Sequence, residues 1–214
     1  LAILTTLSSP NLSDFPPAPD GATAIYAVDY SGPDFTYKSY KLLAKLSNMG
    51  IDASNQFPIS PGTNNIGEYG FGGITISEDE RYIYIINMGK GNLNRVDISG
   101  INYQTIPAGG FTSTSQLPTI EIDIPAAVAN CTNGRFRPSA LRMYAGKLYI
   151  GGICDASASS DNSGLYAKII ELNPSTGASR VVFSHDLTSF NIGDLSATDL
   201  PQARWKFPFR GSIS

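Results

Sequence analysis

The stretch of sequence that decides the fold is Gly72-Gly-Ile-Thr-Ile-Ser-Glu-Asp-Glu-Arg-Tyr-Ile-Tyr-Ile-Ile-Asn87. At 73–76 isoleucine alternates with a small or polar residue, which is the period of a β-strand with one buried face. The polar residues 77–81 then predict a turn, and the tyrosine and isoleucine run at 82–86 predicts a second strand. Because a third strand-like segment follows at 93–98, the stretch opens an antiparallel unit.

The same order of strands and turns returns further along the chain. Strand-like segments lie at 139–144 and 148–153, with a glycine-containing turn between them. A third strand at 166–172 and a fourth at 179–184 follow, separated by Asn173-Pro-Ser-Thr-Gly177, whose residue types favour a turn. This unit is therefore predicted to contain four antiparallel strands.

An earlier unit lies upstream, where Ala24-Ile-Tyr-Ala-Val-Asp29 matches the third strand of the other two units. The matching strands are Asn92–Asp97 and Lys168–Asn173, and their polar ends recur at a spacing of about 70 residues, longer than compact propeller repeats. The next segment, Tyr37–Leu46, has an apolar pattern compatible with a short helix or a strand, and we favour the strand.

A four-stranded antiparallel unit repeated at regular spacing is typical of a β-propeller, in which each blade packs against its neighbours. We therefore predict an all-β fold with about three visible blades, at 21–66, 67–130 and 131–200, and the start of a further blade at 201–214. Propellers close with about four to eight blades, so the chain is expected to form part of a larger ring. Residues 1–20 are expected to form an extended linker or tail.

Two pairs of glycines lie on the predicted inner strands, Gly72-Gly73 and Gly151-Gly152. One interpretation is a close approach of these strands to the crowded propeller axis. The other is ordinary strand bending or bulges, where glycine is common. The sequence leaves both interpretations open.

The net charge, the apolar runs and the content of charged residues indicate which kinds of binding partner and location to expect. The 214 residues carry a net charge of −3, which argues against a nucleic-acid partner because phosphate binding needs a basic face. No apolar run approaches the roughly 18 residues of a membrane span. Charged residues make up only 15% of the chain, against about 25% in typical domains. Such a surface, rich in small polar residues, is more typical of secreted β-proteins than of cytosolic enzymes.

Two segments carry a family resemblance. Residues 71–87 resemble a blade of bacterial propellers, and residues 137–157 resemble a segment in propellers of large Bacteroidetes-type cell-surface proteins, which are adhesin-like and often carry SdrD-B-like repeats. Residues 131–135 and 203–209 match the family's cysteine-containing and tryptophan-containing segments. The resemblance implies an exported extracellular or cell-surface module, adhesin-like or gliding-associated. Its implied partners are other blades or domains of the same longer chain, an unidentified surface protein or glycan, and secretion or motility machinery.

Cys131 and Cys154 are the only cysteines, and both flank one predicted hairpin. A disulfide between them would tie the loop before the hairpin to the end of its second strand, and an exported context permits it. Two buried free thiols are the alternative. With a single distant histidine in the chain, a metal site built on these cysteines is not expected.

The loop after Cys154 is rich in oxygen ligands. Asp155, Asp161 and Asn162 are weak candidates for a calcium site, because Ca²⁺ takes several carboxylate and carbonyl oxygens. A solvated turn is the default interpretation, so no cofactor is expected unless this loop binds calcium. His185 is expected to be an ordinary strand-end residue and Glu78-Asp79-Glu80 a hairpin turn. No catalytic residue is predicted.

Two functions remain open. The first is a non-catalytic binding or structural module, whose ligand-binding residues the sequence does not reveal. The alternative is a calcium-dependent propeller hydrolase of the lactonase type, which holds its ion at the central channel with Glu, Asp and Asn from several blades. Glu68 is the main inner-strand candidate for such a ligand. A measurement of bound metal separates the two functions.

Overall fold

The computed structural model describes residues 2–5, 23–29, 39–46, 70–112, 116–158 and 163–187. This part of the chain forms three antiparallel β-sheets, which confirms the all-β prediction. The described residues do not close into a ring, so the propeller itself stays a prediction. The further blade predicted at 201–214 lies outside them.

In every sheet each strand pairs with the strand that follows it in the chain. The first sheet contains three strands, namely β1 (Ala2–Thr5), β2 (Ala24–Asp29) and β3 (Ser39–Lys45). The second contains four, namely β4 (Phe71–Ile76), β5 (Tyr82–Asn87), β6 (Asn92–Asp97) and β7 (Thr119–Ile122). The third also contains four, namely β8 (Phe136–Tyr144), β9 (Lys147–Asp155), β10 (Leu165–Leu172) and β11 (Ser179–Asp186).

Helical structure in the described residues is confined to single turns. A 3₁₀ turn spans Tyr103–Thr105 and begins at Asn102, whose side chain accepts from the backbone of the turn. A one-turn helix, α1 (Ala126–Ala129), precedes the third sheet. No helix in the ranges given above is long and apolar enough to cross a membrane.

The hairpin predicted from 72–87 is confirmed as β4 and β5. Its turn is held by Ser77, whose Oγ accepts from the backbone N–H of Tyr82 at 2.8 Å and donates to Asp79 Oδ1 at 2.5 Å. Glu80 adopts a left-handed conformation with φ 57°. The acidic residues of this turn therefore act as turn residues, as the sequence predicts.

The first sheet departs from expectation at the start of the chain. Within the predicted linker 1–20, residues Ala2–Thr5 form β1 and pair antiparallel with β2, with Ala2 opposite Val28. A segment of four residues is too short to identify as a strand without its pairing partner. The strand interpretation of Tyr37–Leu46 is confirmed by β3, which pairs with the other edge of β2.

The three sheets stack, so that the second sheet is buried on both faces. Alternate residues of β5 enter two different cores, because successive side chains of a strand point to opposite faces. Ile83 and Ile85 join the core shared with the first sheet, while Tyr84 and Ile86 join the core shared with the third. Ile83, Ile85 and Ile86 are fully buried.

The first strands of the second and third sheets lie against each other. A Cβ added to Gly73 would lie 2.5 Å from the backbone nitrogen of Leu141, and one added to Gly72 would lie 3.1 Å from the carbonyl oxygen of Ser139. The β4–β5 register also shifts at this point. Both glycines therefore lie in a bulge that brings the β8 backbone into contact with β4.

Candidate functional site

A disulfide closes one end of the third sheet. Cys131, which follows α1, is bonded to Cys154 in β9, with their Cα atoms 5.5 Å apart. This is the pairing that the sequence predicts, and the sequence separation is 23 residues. A crosslink closing a loop of this size stabilises a fold by about 3 kcal/mol in a chain-entropy model.

Asp155 lies beside the disulfide and is fully engaged as a hydrogen-bond acceptor. Its Oδ1 accepts from the backbone N–H groups of Arg135 at 2.9 Å and Ser157 at 3.1 Å. Its Oδ2 accepts from Nε of Arg137 at 2.7 Å. Burial alone raises the pKa of Asp155, but these hydrogen bonds outweigh it and hold the pKa below its usual value. Asp155 is therefore an ionised group that fixes the loop.

These hydrogen bonds give Asp155 a structural role in its loop. Both of its oxygens are used by protein donors, and Gly134 approaches it so closely that an added Cβ would lie 2.3 Å from Oδ1. The other two calcium candidates, Asp161 and Asn162, lie outside the described residues, as does Glu68. Within the described ranges, no group of three or more His, Cys, Asp or Glu side chains could hold a metal ion.

His185 lies in β11 and stacks on the ring of Phe183, with centroids 6.2 Å apart. Ser184 and Asp186 are its neighbours along the strand, so they face the opposite side of the sheet. Ser184 and Asp186 therefore do not form a nucleophilic triad with His185. Glu78 likewise serves a turn contact, because its Oε2 accepts from the backbone N–H of Gly146 in the third sheet at 3.2 Å.

A polar cluster that the sequence did not reveal is centred on Glu171 in β10. Its carboxylate accepts from Nζ of Lys147 at 2.9 Å, from the hydroxyl of Tyr149 at 2.9 Å, and from two nitrogens of Arg180, each at 3.0 Å. The Arg180 and Lys147 hydrogen bonds lower the pKa of Glu171 to about 2. The same carboxylate raises the pKa of Tyr149.

The sequence signal for this cluster is weak. Glu171 is the one charged residue of the otherwise apolar segment 169–172 in β10, and Lys147 and Tyr149 are two residues apart on the neighbouring β9. Those positions place the side chains on one face of each strand. Only the register, in which Glu171 lies opposite both Tyr149 and Arg180, brings them together.

The cluster belongs to the face of the third sheet that points away from the second sheet, which we call the outer face. We define it by Tyr144, Tyr149, Ile169, Glu171 and Phe183. The core side chains of the sheet occupy the opposite, alternating positions. A surface of aromatic and aliphatic side chains around a fixed ion pair is suited to binding a partner. The large apolar side chains provide contact area, and the ion pair favours one orientation of the partner.

Comparison with known proteins found no matching family model, no matching curated protein and no matching solved structure. The resemblance stated from the sequence therefore stays a prediction.

Proposed function

We propose that the chain is a non-catalytic binding or structural module, formed by consecutive blades of a larger β-propeller in an exported bacterial cell-surface protein. The observation that carries this proposal is the stacking of the three sheets in chain order. The second sheet is covered on one face by the sheet before it and on the other by the sheet after it. A propeller buries its blades in this way.

The strand order within the sheets supports the same architecture. In each four-stranded sheet the first strand lies at one edge and the fourth at the other, as in a propeller blade. The two first strands, β4 and β8, are in contact, and Oγ1 of Thr75 accepts from the backbone N–H of Met143 at 3.1 Å. Innermost strands of neighbouring blades are expected to meet around a shared axis.

Export is supported by the disulfide and by the low content of charged residues. Structural disulfides persist in oxidising compartments and are rare in the cytosol of mesophilic bacteria. The assignment to an adhesin-like or gliding-associated surface protein rests on the resemblance of residues 137–157. Its proposed partners are an unidentified surface protein or glycan, other domains of the same chain, and secretion or motility machinery.

A binding role is favoured over catalysis because the carboxylates described above accept hydrogen bonds from other groups of the fold. Asp155, Glu171 and Glu78 are each held by donors within the fold. The pKa of Glu171 lies near 2 and its carboxylate accepts from Lys147, Tyr149 and Arg180, so Glu171 is a poor general base at neutral pH. Because propellers host many functions, the fold alone does not decide between them.

The experiment that tests the proposal treats intact cells that produce the protein with a protease that cannot enter them. We expect peptides of this chain among the released fragments, while a cytosolic marker stays intact. Purified protein is then assayed for bound calcium and for lactone hydrolysis, and neither is expected. Protection of the chain until the cells are lysed would contradict the surface location. Stoichiometric calcium with lactone hydrolysis would support the lactonase alternative instead.

A further inference from the structure

The last strand of the third sheet, β11, has an exposed edge. It lies at the end of the sheet, and among the described strands only β10 pairs with it. Val181, Val182 and Phe183 in its middle are 41%, 40% and 48% exposed. An edge strand presents backbone N–H and C=O groups that pair readily with another strand. The edge of β11 is therefore a surface on which a further strand can bind.

The outer edges of the other two sheets are better protected. In the second sheet the last strand, β7, has only four residues and follows Pro118. In the first sheet the last strand, β3, is covered by Phe111, whose backbone N–H donates to the carbonyl of Leu43 at 2.8 Å. Short length, proline and a covering segment all prevent edge-to-edge pairing. By contrast, β11 has eight residues and no proline, and its one irregularity is a bulge where the register with β10 skips Val182.

The hydrogen-bond pattern identifies which backbone groups of β11 point outward. The N–H of Leu187 donates to the carbonyl of Leu165 at 3.0 Å, in the same register as the regular pairing on this side of the bulge. In an antiparallel pair, residues that bond to the neighbouring strand alternate with residues whose backbone groups point away from it. The backbone groups of Phe183 and His185 therefore point to β10, and those of Ser184 point to the outside.

The charges of β11 make it complementary to a second copy of itself. The strand carries the cationic Arg180 near its start and the anionic Asp186 at its end. Antiparallel pairing of two copies brings opposite charges near each other at both ends, whereas parallel pairing would place like charges side by side. The Arg180 side chain is 67% exposed and uses two nitrogens on Glu171, so further N–H donors remain. Such a two-fold contact closes at two copies.

We propose that two copies of the chain pair antiparallel along β11, with Ser184 of one copy opposite Ser184 of the other. Each Ser184 then donates its backbone N–H to the carbonyl of the other, and Phe183 of each copy lies opposite His185 of the other. Phe183 and His185 already stack within one strand, with centroids 6.2 Å apart. The pairing therefore brings four rings together on the outer face and joins the two third sheets into one.

This inference goes beyond the proposed function and does not depend on it. In a propeller the fourth strand of a blade lies at the outside of the ring, so further blades leave the edge of β11 accessible. A chain that does not dimerise can still be a cell-surface module. A dimer can equally form in a protein that fails the protease or calcium assays, so the two proposals fail separately.

Sedimentation equilibrium of the purified full chain measures the association, and we expect a monomer–dimer equilibrium in the micromolar range. Ser184→Pro removes an N–H that β10 does not use. It should raise the dissociation constant at least about ten-fold, because two hydrogen bonds across the interface are lost. Phe183→Lys should also weaken the dimer, because it places a charge on the edge. Ile120→Lys is the matched control, since Ile120 is 45% exposed on the short edge strand β7 and should leave the association unchanged.

A second measurement uses the wild-type chain alone, so it does not depend on the variants being folded. In a mixture of isotope-labelled and unlabelled chains, a filtered Overhauser experiment should show contacts between Phe183 of one copy and His185 of the other. A chain that stays monomeric throughout the micromolar range would overturn the proposal. A dimer without this contact, or one that the folded Ser184→Pro and Phe183→Lys variants form as tightly as the wild type, would overturn it in favour of another interface. Slow exchange of the Ser184 amide proton in a monomer would instead assign the edge to another segment of the same chain.

Discussion

The contact between β4 and β8 predicts that Gly73→Ala destabilises the protein. The new Cβ would lie 2.5 Å from the backbone nitrogen of Leu141 and 3.1 Å from the carbonyl carbon of Ala140. Backbone atoms cannot move aside as a flexible side chain can, so one strand must shift. Gly73 does not have a positive φ, so the cost comes from the contact and not from backbone strain. Overpacking of this kind costs about 1–3 kcal/mol.

Gly109→Ala is the matched control for this substitution. Gly109 also lacks a positive φ, and a Cβ added there would meet nothing within 4 Å. Replacing such a glycine reduces the entropy of the unfolded chain and stabilises a protein by about 0.4–1 kcal/mol. The two variants make the same chemical change, and they are expected to differ in the sign of their effect.

The assay is urea unfolding followed by far-ultraviolet circular dichroism, at one pH and one protein concentration. The midpoint should fall for Gly73→Ala and stay level or rise for Gly109→Ala, with equal slopes against urea for both variants. Equal midpoints for the two variants would refute the reasoning, because they would mean that the β8 backbone does not lie against Gly73.

Three further predictions follow from the core, the disulfide and the Glu171 cluster. Ile85→Ala, at a fully buried position between the first two sheets, should cost about 2–5 kcal/mol in the same urea assay. Replacing Cys131 and Cys154 together by serine should cost about 3 kcal/mol, and a reducing agent should lower the wild-type midpoint but not that of the variant. The pKa of Glu171 is lowered from 4.5 to about 2 on folding. Its contribution to stability should therefore be complete above about pH 4.5 and lost as pH falls towards 2, and Glu171→Gln should remove this part of the acid dependence.

Local patterns explain which parts of the fold the sequence predicts. The β4–β5 hairpin follows from the alternation at 73–76, the polar turn at 77–81 and the β-prone run at 82–86, all of which are properties of adjacent residues. The disulfide could be predicted because a chain with two cysteines allows only one intramolecular pairing. By contrast, β1 could not be recognised from Ala2–Thr5 alone, because its identity as a strand depends on pairing with β2.

The candidate site was harder to predict, because it depends on register. Glu171 and Arg180 are nine residues apart in sequence, and Lys147 lies 24 residues before Glu171. Sequence alone gives no reason to group them. The sequence marks Asp155 as a weak calcium candidate in a loop that is a solvated turn by default, but it gives no sign of the partners that the structure shows, which are two backbone N–H groups and one arginine. Hydrogen bonds from backbone N–H groups cannot be predicted from residue types, because nearly every residue has such a group.

The central claim is that consecutive sheets stack with their first strands in contact. The most direct test is a nuclear Overhauser measurement on isotope-labelled protein, between the amide proton of Met143 and the side chain of Thr75, which lie 68 residues apart in sequence. The account predicts a cross-peak for this pair. Absence of that cross-peak, with β4 giving contacts to strands of some other sheet, would contradict it.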